Sequence, residues 1–235
     1  NPLESPYTNF PNPQTIYARL NTDLTGCFAI APFNLEVAFN PEVTTLNNLE
    51  ICDPMPEDGI ATFDLTPQIA ALLNGQTGFN VSFHASLNDA DFDTNPLALS
   101  YQNTVVNQQT IYARIENVLL ETCYDTTTFD LIVTDLPMIS SISDLEVCDT
   151  NNDLTEWVNL TDKDLEIING QPDVVVTYYP TSTDALADTN AITGLYQITT
   201  NPQIIYYSME NTNTFCVNYG QFNVVLNPTP TVVSI

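Results

Sequence analysis

Five cysteines recur along the chain with a period of about 96 residues. They stand at positions 27, 52, 123, 148 and 216, so that Cys27 and Cys123 are 96 residues apart, as are Cys52 and Cys148. Cysteines placed in register along a β-rich chain are typical of disulfides formed in an oxidising compartment, and we predict disulfides here. Zinc–thiolate sites need much closer spacings, which these cysteines do not have.

The spacing allows two pairings. If the bonds form inside each period, Cys52 pairs with Cys123 and Cys148 pairs with Cys216, and Cys27 is left for a partner upstream. If the bonds cross from one period to the next, the pairs are Cys27–Cys52 and Cys123–Cys148, and Cys216 is left over. We favour the first pairing because it makes each period self-contained. It also closes loops of about 70 residues, which stabilises the fold by roughly 4 kcal/mol.

An acidic turn follows the first cysteine of each period. The turn from Asp149 to Asp153 carries oxygen-bearing side chains at alternate positions, as the opening of a calcium loop does. The sister turn, from Asp53 to Gly59, is one residue longer and contains two prolines. Calcium binding and a plain Asx-type turn explain the pattern about equally well. The candidate calcium ligands are Asp53, Glu57, Asp58, Asp149, Asn151 and Asp153.

Other candidate sites are weaker. His84 is the only histidine, has no counterpart one period later, where Tyr179 stands, and is predicted to point outward from a strand. The sequence has no nucleophile elbow and no glycine-rich phosphate loop, so we expect no enzymatic activity. Carbohydrate binding by an aromatic strip is an alternative function, although tyrosines in sandwiches more often pack at the rim of a core. The members of such a strip would be Tyr112, Tyr178, Tyr179, Tyr206 and Tyr207.

The net charge of the chain is strongly negative. Its 235 residues include 29 acidic and three basic side chains, for a net charge of −26. Such a surface repels nucleic-acid phosphates and anionic lipid, so we expect no nucleic-acid partner and no membrane insertion. The sequence contains no run of about 18 apolar residues, which is the length that a membrane-spanning helix needs. The charge is compatible with a divalent metal, a cationic polymer or simple solubility.

Apolar and polar residues alternate with a period of two. Residues 33–39, 129–133 and 222–226 show this alternation, and Asn, Asp, Pro and Thr bound the runs. This pattern predicts many short strands, and therefore an all-β sandwich or barrel. One short crossover helix is predicted in each period, over 66–75 and over 161–170, from capping residues and a following glycine. The acidic stretch from Asp89 to Asp93 is predicted to be a solvated loop.

Comparison of the sequence with itself explains the period. Three segments recur at shifts of 95 or 96 residues: Thr15–Arg19 as Thr110–Arg114, Leu49–Asp53 as Leu145–Asp149, and Asn74–Gln76 as Asn169–Gln171. About 95 residues is the size of an immunoglobulin-like sandwich and is too long for a solenoid repeat. We therefore predict tandem Ig-like β-sandwich repeats at 47–141 and 142–235, joined by proline-bearing, stiff linkers. Residues 1–46 match only the second half of a repeat, and further repeats are expected upstream.

The repeated motifs resemble those of a known family. Residues 49–76 contain the Leu-Glu-Ile-Cys-Asp and Asn-Gly-Gln motifs, and residues 109–131 contain Thr-Ile-Tyr-Ala-Arg and Cys-Tyr-Asp-Thr-Thr-Thr. Together they are similar to the tandem repeats of giant flavobacterial cell-surface adhesins of the gliding-motility type, which the type IX secretion system exports. The resemblance spans essentially the whole chain.

The resemblance implies a function and a location. It implies Ig-like repeats exported to the outer surface, associated with the outer membrane, that act as a stalk in adhesion or gliding. The implied partners are an extracellular surface or polysaccharide, neighbouring repeats, and the secretion and gliding machinery. It also implies Ca²⁺ at the turns after the cysteines and O-glycosylation of Thr126 in the Asp-Thr-Thr motif. The family's C-terminal sorting domain is absent from this sequence, so an internal piece is expected.

Overall fold

The chain folds mainly into β-strands joined by short helices, as its alternating pattern predicts. The computed structural model describes residues 2–54 and 56–230; Met55, in the predicted acidic turn, lies outside the described part, as do Asn1 and 231–235 at the ends of the predicted repeats. No helix of the described part is long and apolar enough to cross a membrane. In chain order the elements are β1 (Gln14–Asn21), β2 (Phe28–Leu35), β3 (Leu49–Cys52), β4 (Thr62–Asp64), α1 (Thr66–Leu73), β5 (Phe79–His84), α2 (Leu87–Asp91), β6 (Ser100–Gln102), β7 (Gln108–Asn117), β8 (Leu120–Thr134), β9 (Leu145–Asp149), β10 (Glu156–Asn159), a 3-10 helix (Leu160–Lys163), α3 (Asp164–Ile168), β11 (Val174–Tyr179), α4 (Ser182–Ala187), β12 (Leu195–Ile198), β13 (Gln203–Asn211) and β14 (Val217–Pro228).

Two of the sheets formed by the described residues have the same strand order. One is β3-β8-β7-β5 and the other is β9-β14-β13-β11. In both, the first strand of the repeat pairs in parallel with the last strand, β3 with β8 and β9 with β14. The remaining strands form the two-stranded sheets β1-β2, β4-β6 and β10-β12. The shared order shows that the sequence repeat is also a structural repeat.

By compactness the described chain divides into two units. The second unit comprises Leu49–Thr62, Gln102–Gln109 and Leu131–Ile235. Its core contains alternate side chains of β13 and β14, among them Tyr207 and Phe222, together with Val158 of β10 and Ile198 of β12. Each such side chain stabilises the fold by about 1.5–3 kcal/mol when fully buried. The four-stranded and two-stranded sheets therefore form a β-sandwich.

The first unit contains a buried cation. This unit comprises Asn1–Asn48, Phe63–Tyr101 and Thr110–Asp130. Arg114 of β7 is buried, and its Nε donates a hydrogen bond to Glu116 at 2.8 Å while its Nη1 donates to the carbonyl oxygen of Ala90 at 2.9 Å. The guanidinium also lies 3.6 Å from the centroid of the Tyr124 ring. Because a buried charge is costly unless it is paired, these contacts fix α2 against β7.

Each full repeat has a second α-helix in its described part, where the sequence predicted one helix. Helix α1 lies within the predicted range 66–75, has a proline in its first turn and ends at Asn74 in the left-handed conformation. In the range 161–170 the structure has the 3-10 helix followed by α3. The additional helices are α2 and α4, and α2 replaces most of the loop predicted from Asp89 to Asp93.

The additional helices begin at a serine or threonine N-cap whose hydroxyl is paired with the acidic residue three positions later. The hydroxyl of Ser86 accepts a hydrogen bond from the backbone N–H of Asp89 at 3.1 Å and donates to the Asp89 carboxylate at 2.6 Å. Thr181 and Asp184 are arranged in the same way at the start of α4. A Ser or Thr three residues before an acidic residue is the sequence signal for such a start. Asp89 and Asp184 are therefore part of helix caps, and the prediction of a solvated loop is wrong for Asp89.

Candidate functional site: the disulfide junction

Cys52 is positioned by the parallel pairing of β3. Residues Leu49 to Cys52 pair with Leu131 to Thr134 of β8, so that Cys52 stands beside Thr134 at the end of the repeat. The backbone N–H of the next residue, Asp53, donates to the carbonyl oxygen of Thr134 at 2.8 Å. The first cysteine of the repeat is thus held at the point where the chain leaves the repeat.

Cys216 is positioned by the turn between β13 and β14. We call residues 211–216 the cysteine hairpin. The backbone N–H of Asn211 donates to the carbonyl oxygen of Cys216 at 3.0 Å, and the N–H of Phe215 donates to the carbonyl oxygen of Asn211 at 2.8 Å. These bonds close a tight loop that ends at Cys216, directly before β14 begins at Val217.

A disulfide joins Cys52 to Cys216. Their Cα atoms are 5.5 Å apart and the bond spans 164 residues of sequence. Cys216 is almost fully buried, and the Nδ2 of nearby Asn218 donates to the carbonyl oxygen of Pro137 at 3.0 Å. The hairpin of one repeat is therefore attached, covalently and by a hydrogen bond, to the end of the repeat before it.

Both pairings considered from the sequence are wrong for these cysteines, and the strand register explains why. Cys52 lies opposite Thr134, whereas Cys123 lies eleven residues earlier on the same strand β8. At about 3.3 Å per residue that separation is roughly 35 Å, far beyond the span of a disulfide. Cys148 lies opposite Asn227, eleven residues after Cys216, so the same argument excludes Cys148–Cys216.

The remaining three cysteines are free. Cys27 and Cys148 are exposed and Cys123 is partly exposed. Cys27 stands at the end of a turn that has the same two backbone hydrogen bonds as the cysteine hairpin. The N–H of Thr22 donates to the carbonyl oxygen of Cys27, and the N–H of Gly26 donates to the carbonyl oxygen of Thr22. The alternative pairs, Cys27–Cys52 and Cys123–Cys148, are therefore not those of the structure either.

The two acidic turns are held by the carboxylate that follows each first cysteine. The Asp53 carboxylate accepts the backbone N–H of Gly59 at 2.7 Å. The Asp149 carboxylate accepts the N–H groups of Asp153 at 3.2 Å and of Leu154 at 2.8 Å. These hydrogen bonds reach four to six residues along the chain, farther than the two residues of an Asx turn, and they show that each buried aspartate holds its turn through backbone N–H groups.

The described parts of these turns do not converge on a cation. No three Asp, Glu, His or Cys side chains within 2–54 and 56–230 are grouped as a metal site would need. The Asp153 carboxylate accepts hydrogen bonds from Thr155 and Asn151, and the bonds from Thr155 hold the pKa of Asp153 below its ordinary value. Glu57 and Asp58 are exposed. Among the described residues, Oδ1 of Asp53 is a buried oxygen without a hydrogen-bond partner, which is one ligand position rather than a site.

Calcium binding therefore stays a prediction from the sequence. It is tested by comparing the melting temperature of the chain in Ca²⁺ and in EDTA. A ligand that binds the folded state alone must raise that temperature. An unchanged melting temperature would exclude Asp53, Glu57, Asp58, Asp149, Asn151 and Asp153 as ligands of a stabilising ion.

Comparison with known proteins assigns the family. The model of the Flavobacterium inter-domain disulphide bond domain matches residues 1–42, 48–137 and 144–230. The chain belongs to this family. We refer to the three matches as the first, middle and third repeats of the inter-domain disulphide bond family. In these terms, Cys52 of the middle repeat is bonded to Cys216 of the third repeat.

Comparisons beyond the family add little. No curated protein matches the sequence. Among solved structures, zebrafish RET cadherin-like domains 1 to 4 match with 8% identity and a TM-score of 0.23, over 94% of this chain and 60% of that one. A TM-score of this size is too low to support a relationship. The family match thus identifies a flavobacterial, multi-domain structural protein.

His84 lies in the interior of the middle repeat, and its predicted outward position is wrong. The ring is completely buried, with Nδ1 2.8 Å from the carbonyl oxygen of Thr94 and Nε2 2.8 Å from the Ser82 hydroxyl. Because a carbonyl oxygen only accepts, Nδ1 carries a proton and donates it to the carbonyl oxygen of Thr94. In the third repeat Tyr179 stands at this position and donates to Asp188 at 2.6 Å. Both side chains attach an edge strand, β5 or β11, to the segment after a short helix.

The remaining predicted residues lie as follows in the inter-domain disulphide bond repeats. Tyr178, Tyr179 and Tyr207 are buried, and Tyr112 and Tyr206 are partly exposed. Burial removes the ring faces on which a sugar would stack, which favours the packing interpretation. Thr126 is partly exposed on β8, and its glycosylation stays a prediction.

No separate sequence signal marks the junction itself. Asn218 and Pro137, which are hydrogen-bonded across it, are a common amide and a proline in a linker. The turn geometry of Asn211 and Phe215 also carries no motif, because Phe215 adopts a left-handed conformation that glycine usually occupies. The constant period of the cysteines was the available signal. It indicated that cysteines form disulfides but did not show that Cys52 pairs with Cys216.

Proposed function

We propose that this chain is a stalk segment of a secreted, filamentous surface adhesin, acting in adhesion or gliding motility. One observation carries the proposal: the Cys52–Cys216 disulfide joins successive repeats instead of closing one of them. Tandem domains that are connected only by linkers transmit a pulling force through those linkers. Domains bonded in this way transmit force through the disulfide as well.

The bond changes what happens when the chain is pulled from its ends. The residues between Cys52 and Cys216 are bypassed by the covalent link, so their unfolding cannot lengthen the molecule. At 3.3–3.6 Å per extended residue, the 164 residues closed by the disulfide would add about 55 nm to the contour length if the bond were absent. A support that must keep a contact region at a fixed distance from the cell benefits from such a limit.

The proposed location follows from the redox chemistry. Disulfides persist in oxidising surroundings and are rare in a reducing cytosol, which supports export. We infer display at the outer surface after export by the type IX secretion system, with an extracellular surface or polysaccharide and neighbouring repeats as partners. The net charge of −26 keeps such a chain soluble and away from anionic lipid.

Single-molecule pulling tests the mechanical role. The chain, tethered at its two ends, should show a total contour length about 55 nm shorter when oxidised than after treatment with a reductant. Cys216→Ser should abolish that difference, whereas Cys27→Ser, which removes a free thiol, should leave it unchanged. Equal contour lengths in the two redox states would contradict the proposal.

Surface display has its own test. An antibody raised against the chain should label intact, unpermeabilised cells, and loss of the type IX system should remove the label. Labelling that requires permeabilised cells would contradict the proposed location. Carbohydrate binding, the alternative function, is tested with the isolated chain on a glycan array, where we expect no binding because most of the tyrosines of the predicted strip are buried.

A further inference from the structure

We propose that the third repeat carries a binding pocket for a guanidinium group, the group that ends an arginine side chain. The pocket lies at the place where the middle repeat holds the guanidinium of its own Arg114. The third repeat keeps oxygen atoms that surround this group in the middle repeat, but it has Ser208 in place of the arginine. The inference does not depend on the disulfide or on the proposed stalk role.

Strand register makes Ser208 the counterpart of Arg114. Arg114 of β7 lies opposite Ser82 of β5 in the middle repeat. Ser208 of β13 lies opposite Thr177 of β11 in the equivalent pair of strands of the third repeat. Both β7 and β13 carry a glutamate two residues further along, and therefore on the same face of the sheet. The third repeat has lost the cation of this pair and has kept the anion.

The helix that supplies a carbonyl acceptor is retained as well. In the middle repeat, Nη1 of Arg114 donates to the carbonyl oxygen of Ala90 in α2 at 2.9 Å. The same carbonyl oxygen also accepts the N–H of Asp93 at 3.5 Å. In the third repeat the carbonyl oxygen of Ala185 in α4 accepts the N–H of Asp188 at 3.4 Å. The Ala185 carbonyl is therefore the counterpart of the one that accepts the Arg114 guanidinium.

A cavity is present where the arginine side chain is missing. It has a volume of about 260 Å³, and its lining includes Ala185, Asp188, Ser208 and Glu210. We call it the Ser208 pocket. The Ser208 hydroxyl is buried and lies 3.5 Å from the Tyr179 hydroxyl, so this short side chain does not fill the space. A water molecule takes about 30 Å³ in the liquid, and the pocket is large enough for a planar group of several heavy atoms.

The pocket has two carboxylates and lacks the cation of the middle repeat. Oδ1 of Asp188 accepts a hydrogen bond from the Tyr179 hydroxyl at 2.6 Å. Among the ion pairs formed within 2–54 and 56–230, none includes Glu210. Its counterpart Glu116 is paired with Arg114 at 2.8 Å. Two carboxylates beside a polar cavity favour a positively charged ligand, and the middle repeat shows that a guanidinium is held by this arrangement.

The acceptors fit a guanidinium better than a compact ion. A guanidinium is planar and has five N–H donors that point in different directions, so it can reach a carboxylate and a backbone carbonyl at once. Tyr219 also lines the pocket, so its lining retains an aromatic ring, as Tyr124 provides beneath Arg114. A metal ion needs ligands that converge more closely, and no three acidic, histidine or cysteine side chains do so in the described part of the chain.

The ligand comes from outside this chain. Its two arginines are Arg114, which is buried in its own contacts, and Arg19, which lies over the Phe28 ring at 4.2 Å. Asp188 and Glu210 are exposed, so a guanidinium can enter the pocket from solvent. The group can belong to a small molecule or to an arginine side chain of a polypeptide, and the test below distinguishes these two sources.

Titration of the whole chain with methylguanidine tests the pocket. Amide NMR spectra should show saturable shifts for one site per chain, centred on Ser208 and Glu210. Glu210→Gln should weaken binding by at least about tenfold, because a hydrogen bond to a charged partner is lost. The matched control is Glu36→Gln, which removes the same charge from an exposed side chain of the first repeat and should leave binding unchanged.

A second variant fills the pocket from within. Ser208→Arg restores the arginine of the middle repeat, so it should abolish methylguanidine binding and raise the melting temperature. The amide spectrum of the variant shows whether it is folded. If Ser208→Arg does not fold, the comparison of Glu210→Gln with Glu36→Gln decides the question by itself. A folded Ser208→Arg chain that still binds methylguanidine at the same shifts would overturn the inference.

Two peptides identify the source of the group. Gly-Ser-Arg-Ser-Gly should bind with the same shifts as methylguanidine if the ligand is an arginine side chain. Binding of methylguanidine without the peptide would assign the pocket to a small molecule. The same peptide with citrulline, which has the shape of arginine without its charge, should not bind. Equal binding of the citrulline peptide, an absence of shifts, or shifts spread over the acidic surface and unaffected by Glu210→Gln would each contradict the proposed pocket.

Discussion

At the scale of single residues, the two acidic turns differ at one backbone position. Gly59 and Leu154 each donate their N–H to the aspartate that holds the turn, and both adopt the left-handed conformation, with φ of 74° and 64°. A non-glycine residue loses roughly 1–2 kcal/mol in that region. Leu154 is 56% exposed, so its burial returns little of that cost.

We therefore expect Leu154→Gly to stabilise the chain. The free energy of unfolding in urea should rise by up to about 1 kcal/mol, since the relief of strain exceeds the extra freedom of glycine in the unfolded state. The matched variant, Gly59→Ala, should be destabilising because its Cβ would stand 2.2 Å from Oδ1 of Asn107. A decrease for Leu154→Gly would contradict this account of the turn.

A second residue-scale prediction concerns pH. Glu166 accepts hydrogen bonds from Lys163 at 2.7 Å and from the N–H of Ser143 at 2.6 Å, and these bonds lower the pKa of Glu166 to about 2. Because the folded pKa lies below the ordinary value of 4.5, the stabilisation is complete above pH 4.5 and is lost as the pH falls toward 2.

Glu166→Gln should consequently flatten the loss of stability between pH 5 and pH 3. The measurement is the urea midpoint at several pH values in that range, compared with the unchanged chain. Glu57→Gln removes a similar charge from an exposed side chain and serves as the control. Parallel pH profiles for Glu166→Gln and the unchanged chain would exclude the role assigned to Glu166.

At the scale of elements, the third repeat packs a tyrosine over a glycine on the neighbouring strand. Tyr207 of β13 pairs with Gly220 of β14, and a Cβ at Gly220 would lie 2.3 Å from the Oη of Tyr207. Tyr207 is buried and cannot swing away without opening the core. The middle repeat has Ala113 at the position of Tyr207, which requires no glycine opposite.

Gly220→Ala should destabilise the third repeat by about 1–3 kcal/mol, as overpacking does. Tyr207→Leu alone should also destabilise it, by removing a buried ring. The double variant should cost less than the sum of the two, because the clash needs both side chains, with a coupling of at least about 0.5 kcal/mol. Chemical denaturation of the four proteins measures the coupling, and strict additivity would exclude the contact as its cause.

At the scale of the whole molecule, the disulfide links two repeats that each have their own sheets. It closes a loop of 164 residues, for which the chain-entropy model gives a stabilisation of about 5 kcal/mol. Two successive repeats joined in this way should resist separation and unfolding together more than two repeats joined by a linker.

Cys216→Ser should lower the free energy of unfolding in urea by up to about 5 kcal/mol. It should also raise the number of titratable thiols from three to four, because Cys52 becomes free. Cys27→Ser, at an exposed and free cysteine, should leave the stability unchanged and lower the thiol count to two. Equal stabilities of the two variants would show that the bond contributes little to holding the repeats.

The local sequence pattern determined the strands, the repeats and one of the helices of this protein. Alternation of apolar residues predicted the strands because side chains on a strand point to opposite faces, and self-comparison predicted the repeats. The proline of α1 and the Asn-Gly pair after it predicted that helix. The capping signals of α2 and α4 were also present, at Ser86 and Thr181, but the acidic residues after them were interpreted as a loop.

The tertiary structure alone decided how the cysteines pair. The sequence period showed that Cys52 and Cys123 belong to one repeat, and we favoured their pairing because it would make that repeat self-contained. Parallel pairing of β3 with the far end of β8 places the two cysteines about 35 Å apart. The cysteine hairpin of the next repeat brings Cys216 within 5.5 Å of Cys52 between Cα atoms. A disulfide depends on distance in space, and strand register and the packing of successive repeats set that distance.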